Sequence, residues 1–92
     1  MIKKFKHKGL KKLFESGSVV NIKPEHEKRL RRILALLETA STIEDMDLPG
    51  LNLHELKGKR IGTWSVTVSG NWRVTFQIHN GDVNHVDYED YH

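Results

Sequence analysis

The chain has 92 residues, with 15 Lys/Arg against 12 Asp/Glu, six His and no Cys. That length suits a single domain over residues 1–92 with one modest core. The lack of cysteine excludes a disulfide framework, a thiolate metal site and a cysteine nucleophile, and is compatible with a reducing cytoplasmic location.

The net charge of +3 conceals an asymmetry: residues 1–32 carry eleven basic and three acidic residues, a balance of +8, and residues 33–92 carry four and nine, a balance of −5. A dense basic front suits a polyanionic partner, because neutralising phosphates releases counterions. Lysines kept for solubility explain the same charge equally well. The opening "MIKKFKHKGLKKLF" has no apolar run long enough for a signal peptide, and no later stretch approaches the length of a membrane span. Leu10, Leu13 and Phe14 form too short a stripe for a membrane-surface helix. A soluble, unexported protein with no membrane partner is expected.

Ile2 and Phe5 suggest a short first strand, and Leu10, Leu13 and Phe14 fall at helical spacing before Gly17. Pro24 suits the first turn of a second helix, expected over 24–39, whose Leu30, Ile33, Leu34 and Leu37 form one apolar stripe. Lys28, Arg29, Arg31 and Arg32 then face solvent or a partner. Ser41 and Glu44 have capping-box spacing before Pro49-Gly50. Two strands follow: Trp64, Val66 and Val68 alternate with polar residues, as do Trp72, Val74, Phe76 and Ile78.

Keeping apolar faces together constrains the register. A two-residue Gly70-Asn71 loop would oppose Val68 and Arg73, so a three-residue loop Ser69-Gly70-Asn71 is expected, with Asn71 left-handed and pairs Val68/Trp72, Val66/Val74 and Trp64/Phe76. The same reasoning makes Asn80-Gly81-Asp82 the second loop and pairs Phe76 with Val86 and Val74 with Tyr88. Arg73 then lies beside Thr67 and Glu89 on a polar face, while the helical stripe and both tryptophans occupy the apolar one. An open polar face is a place for a ligand, although antiparallel sheets often leave one face to water.

There is no phosphate-binding glycine loop, HExxH motif, zinc spacing or nucleophile elbow, and no metal or cofactor is expected. The remaining polar candidates, His54, Lys57, Arg60, Arg73, Asp90, Tyr91 and His92, are cations and proton-transfer groups without a dedicated nucleophile. That set suits a substrate that brings its own. RNA does: its 2′-hydroxyl attacks the adjacent phosphorus once deprotonated, the phosphorane gathers negative charge, and the 5′-oxygen leaves on protonation. Each residue also has a plain structural explanation, such as an Arg73–Glu89 surface pair or a frayed tail.

The segments "LHELKGKR", "GTWSV" and "NWRVTF", the ending "YEDYH" and the opening "MIKKFKHKGLKKLF" resemble HigB toxins of the RelE/ParE superfamily. The similarity extends over essentially the whole chain. It implies an α+β, RelE-like fold with two N-terminal helices on one face of a small, mainly antiparallel twisted sheet. It also implies a type II toxin that cleaves mRNA in the A site of the 70S ribosome, contacting 16S rRNA, and a HigA-type helix-turn-helix antitoxin. A toxin–antitoxin heterotetramer is the assembly such a pair allows.

Carried over by residue, the resemblance makes His54, Lys57, Arg73, Asp90, Tyr91 and His92 catalytic. Arg73 and Lys57 would stabilise the scissile phosphate, and Asp90, Tyr91 and His92 would form the acid/base and base-stacking end. Thr63 stands where an aromatic is common in such toxins. Lys3, Lys4, Lys6, Lys8, Lys11, Lys12 and Arg60 are the expected RNA- and ribosome-binding residues. The competing readings are a ParE-like gyrase inhibitor and a non-catalytic RNA-binding member of the fold.

Overall fold

The computed structural model describes residues 1–91. Helix α1 spans Lys8–Ser16 and α2 spans Glu27–Thr39, the latter preceded by a 3-10 turn at Pro24–His26. The strands are β1 (His54–Glu55), β2 (Trp64–Ser69), β3 (Trp72–His79) and β4 (Asp82–Asp90), with further 3-10 turns at Ile43–Met46 and Gly58–Arg60. They form one antiparallel sheet in the order β1-β2-β3-β4. This is the expected α+β arrangement. No helix among the described residues is long and apolar enough to cross a membrane.

Both helix ends of α1 are set by local chemistry. The Nδ1 of His7 accepts the N–H of Leu10 at 3.1 Å, and Gly17, at φ +77°, donates its N–H to the carbonyl of Leu13. An imidazole accepts at Nδ1 only when that nitrogen is unprotonated, and burial lowers the pKa of His7 against an opposing pull from Asp87. Leu10 and Leu13 are buried, as are Leu30, Ile33, Leu34 and Leu37 of α2. They pack with Val66, Val74, Phe76, Val83, Val86 and Tyr88 of the sheet in one cluster, and Trp64 and Trp72 lie against it, half buried. Each fully buried aliphatic side chain contributes about 1.5–3 kcal/mol, so this two-layer core holds the helices to one face.

The first segment is less regular than a strand. Ile2 and Phe5 make single parallel bridges to Val83 and Val86 along the outer edge of β4. The capping box lies one residue beyond its expected place, with Thr42 and Asp45 exchanging side-chain and backbone bonds in place of Ser41 and Glu44. Asp45 also accepts the N–H of Ser41, so the shorter carboxylate serves both orphan donors.

The register corrects both expected loops. Ser69 pairs with Trp72 and His79 with Asp82, so the turns are the two-residue Gly70-Asn71 and Asn80-Gly81. Trp64/Phe76, Val66/Val74 and Val74/Tyr88 pair as expected. The odd residue that parity demands sits inside the strands. Val68 is the bulge between the Thr67/Arg73 and Ser69/Trp72 pairs and does not pair with Trp72. His85 and Val86 together oppose Phe76, replacing the expected Phe76/Val86 pair.

Two-residue turns match the twist of the flanking strands, and a bulge restores the alternation that they upset. The left-handed residue of the first turn is Gly70, at φ +57°, and not Asn71, since glycine has no Cβ to clash. Arg29, expected on the outer face of α2 toward solvent or a partner, instead reaches the strand beside the Val68 bulge. Its Nε and Nη2 donate to the Thr67 carbonyl at 3.2 and 2.9 Å, and Nη2 donates to Gly50 at 2.6 Å, tying helix to sheet.

Candidate functional site

Strand alternation sorts the polar side chains onto the sheet face away from the helices. One cross-strand row is His54, Ser65, Thr75 and Asp87, and the next contains Thr67, Arg73 and Glu89. By the strand spacings, the Cα atoms of His54 and Arg73 lie about 12 Å apart, a gap that two long side chains can close. Tyr91 continues the Glu89 alternation, its N–H donating to the Asn71 carbonyl at 2.8 Å, and it is partly exposed. Lys57, exposed, immediately precedes the Gly58–Arg60 turn. His54 is exposed, with its Nδ1 3.0 Å from the Asn52 carbonyl.

Asp90 behaves differently. It pairs with Trp72, and the register therefore assigns it to the face opposite Arg73. His92 lies outside the described residues. The structure thus gathers His54, Arg60, Arg73 and Tyr91 at one face with Lys57 at its margin, and sets Asp90 across the sheet from them. The six lysines of the basic front are all exposed.

The centre of this face is Glu89, which sequence reasoning placed beside Arg73 and left out of the site. Its Oε1 and Oε2 accept from the two terminal nitrogens of Arg60 at 2.8 and 2.9 Å, and Oε2 also accepts the Thr75 hydroxyl at 2.8 Å. The Arg60 hydrogen bonds hold the Glu89 carboxyl below its usual range, with help from Thr75 and Lys6, although burial opposes the shift. The same bonds raise the already high pKa of Arg60. Period-two alternation through Arg73, Thr75 and Gln77 was the sequence signal for this surface; no local pattern signalled the Arg60–Glu89 pair.

With Glu89 engaged, Arg73 forms no carboxylate ion pair among the described residues. Its Nη1 donates to the carbonyls of Gly70 and Trp72, which fixes the guanidinium at the hairpin, and its Nε is buried without an acceptor among the described residues. A buried charged donor left unpartnered costs about 1–3 kcal/mol, the kind of expense that marks a group arranged for a ligand. Ser65 Oγ on the neighbouring row is likewise buried without a partner.

Next to these rows is a cleft of about 300 Å³ lined by Lys6, Lys59, Arg60, Thr63, Thr75, Gln77 and His85. Among the described residues no carboxylate lines it. Beside the Asp87 carboxylate and the Arg60-bound Glu89, the face presents the cations Arg73 and Lys57 and the His54 imidazole, groups that can hold an anion and move protons.

Comparison with known proteins agrees over the full length. A family model described as the RelE-like toxin of type II toxin-antitoxin system HigB matches residues 3–92. The chain is 48% identical over 92 residues to "Endoribonuclease HigB" of Proteus vulgaris, covering all of both sequences. Since the family model spans nearly every residue and the relative aligns from end to end, the chain belongs to the HigB-like toxin family of type II toxin–antitoxin systems.

Proposed function

We propose that this toxin is an endoribonuclease that cuts mRNA in the ribosomal A site by attack of the substrate's own 2′-hydroxyl, and that a HigA-type antitoxin neutralises it. The observation that carries the reading is Arg73: a guanidinium anchored to its own hairpin and unclaimed by any described carboxylate, on a face shared with His54 and Tyr91. The relative's endoribonuclease name supports the same chemistry.

In this mechanism a base removes the 2′-hydroxyl proton, the 2′-oxygen bonds to phosphorus, and the P–O5′ bond breaks as an acid protonates the leaving 5′-oxygen. The products are a 2′,3′-cyclic phosphate and a 5′-hydroxyl. Because the nucleophile comes from RNA, the protein needs proton carriers and cations and no metal-bound water. Arg73 and Lys57 stabilise the charge gathered on the phosphorane, an effect worth about 3–4 kcal/mol for one preorganised donor. His54 and His92 are the proton-transfer groups, and Tyr91 stacks on a base; Asp90, on the opposite face by its pairing with Trp72, has no direct part in the proton transfers. The exposed lysines of the front supply ribosome affinity.

Adding the protein to a translating extract and mapping mRNA ends by primer extension, beside a gyrase supercoiling assay, tests the reading. New ends within A-site codons with supercoiling untouched are expected. Intact mRNA with inhibited supercoiling would replace it by the gyrase-directed reading.

A further inference from the structure

The cleft beside the Arg73 row has features that a single phosphate clamp does not use. Lys6 from the N-terminal segment, Lys59 from the 3-10 turn and Arg60 line it, and the Glu89 carboxylate beside it is already occupied by Arg60 and Thr75. That pair matches the charge of Arg60 and leaves Lys6 and Lys59 as the cations of the lining that no described carboxylate claims. Gln77 donates to Thr63 Oγ1 at 3.3 Å, which orients its amide within the same lining.

The second observation is backbone strain. His85 sits at φ +55° in the β4 bulge and also lines the cleft. The bulge itself has a structural reason, since it lets Val83 and Val86 both reach the core. A left-handed bulge position is met most easily by glycine, and a histidine there is strained. Bulges re-aim side chains near functional sites, and strain retained at such a position points to use of the side chain.

We propose that this cleft is a nucleotide subsite for the RNA strand, adjoining the linkage that is cut: Lys6 and Lys59 hold a phosphate, Arg60 and its Glu89 partner form the wall, and the imidazole of His85 stacks on the base. The volume is at the lower end of small-ligand pockets, about 300–1,000 Å³, and fits one nucleotide unit. This subsite rests on the RNA-cleaving reading above, and its test separates the two.

The test is a ¹⁵N NMR titration of the full chain with a 2′-O-methylated tetranucleotide, which lacks the attacking hydroxyl, with inorganic phosphate in a parallel arm. The wild type, His85→Gly and the Lys6→Ala/Lys59→Ala double variant are compared, and mRNA cleavage in a translating extract is measured alongside. Tetranucleotide-induced shifts at Thr63, Gln77 and His85 are expected. His85→Gly should weaken them roughly fivefold or more, the loss of one stacked base, while its melting temperature equals or exceeds that of the wild type. The double variant should weaken the response to both ligands.

Shifts confined to the Arg73 and Tyr91 end, or absent everywhere, would overturn the subsite. An equal response to phosphate alone that His85→Gly leaves unchanged would reduce it to an anion site and overturn the nucleotide assignment. Cleft binding as expected without mRNA cleavage by the wild type would sustain the subsite and overturn the proposed function.

Discussion

Arg73 and Glu89 are direct cross-strand partners, yet Glu89 gives its carboxylate to Arg60 and leaves Arg73 without one among the described residues. A carboxylate on Arg73 would compete with a substrate phosphate for the same guanidinium. The Arg60 pair removes that competitor and joins the Gly58–Arg60 turn, with Lys57 at its start, to β4.

Arg73→Ala should abolish mRNA cleavage and toxicity while leaving the protein folded, because Arg73 lies on the polar face, outside the apolar core cluster. The expected loss is at least a hundredfold in rate, the usual effect of deleting one preorganised donor to a developing anion. Growth arrest by a folded alanine variant, with folding checked by circular dichroism, would remove Arg73 from the phosphate clamp.

Acid should destabilise the protein in two stages. His7 has its pKa lowered by burial, so its neutral, cap-accepting form is present above the unfolded value near 6.5 and is lost as pH falls through the folded one. Glu89, lowered chiefly by its hydrogen bonds from Arg60, has the same sign in a lower window: its contribution is complete above the ordinary carboxylate range, about pH 4, and disappears below it. In urea titrations across pH, His7→Ser should flatten the first stage and Glu89→Gln the second. The Glu89→Gln cost at neutral pH should be about 1 kcal/mol, since the pair is partly exposed. A Glu89→Gln variant that kept the wild-type acid profile would show that the pair contributes nothing.

Ribosome affinity should fall steeply with salt. Lys3, Lys4, Lys6, Lys8, Lys11 and Lys12 are exposed, and each phosphate contact adds nearly one unit to the slope of log affinity against log salt. Neutral substitutions at Lys8, Lys11 and Lys12 should lower both affinity and slope in sedimentation binding. Unchanged values would return these lysines to a solubility role.

Deleting Asp90, Tyr91 and His92 should eliminate cleavage and cost little stability. The deletion removes, among other contacts of the chain end, the Trp72/Asp90 strand pair and the Tyr91 to Asn71 hydrogen bond, and spares the buried Tyr88 and Val86 that anchor β4. About 1–2 kcal/mol of stability is expected to go, at roughly 1 kcal/mol per hydrogen bond. A truncated protein that cut mRNA at the wild-type rate would exclude the chain end from the site.

Local periodicity made the helices legible: the Leu30–Leu37 stripe and Gly17 locate α2 and the end of α1 without reference to the rest of the chain. The sheet needed a parity argument, which correctly assigned Arg73 to the polar face and paired Val74 with Tyr88. It misplaced the odd residues, since parity says only that one is required and turn twist decides between loop and bulge. The left-handed His85 was hidden for that reason. The Arg60–Glu89 pair joins positions 29 apart in sequence, and nothing local to either announces it. Asp90 read as one unit with Tyr91, but strand alternation sends neighbours to opposite faces.

The most direct measurement of the central claim is cleavage of mRNA on a programmed ribosome, with the nucleotide on the 5′ side of the cut made either ribo or 2′-deoxy. Attack by the 2′-hydroxyl requires cutting of the ribonucleotide substrate to a 2′,3′-cyclic phosphate and a 5′-hydroxyl, and no cutting of the 2′-deoxy one. Equal cleavage of both would show that the nucleophile is not the 2′-hydroxyl and would overturn the proposed mechanism.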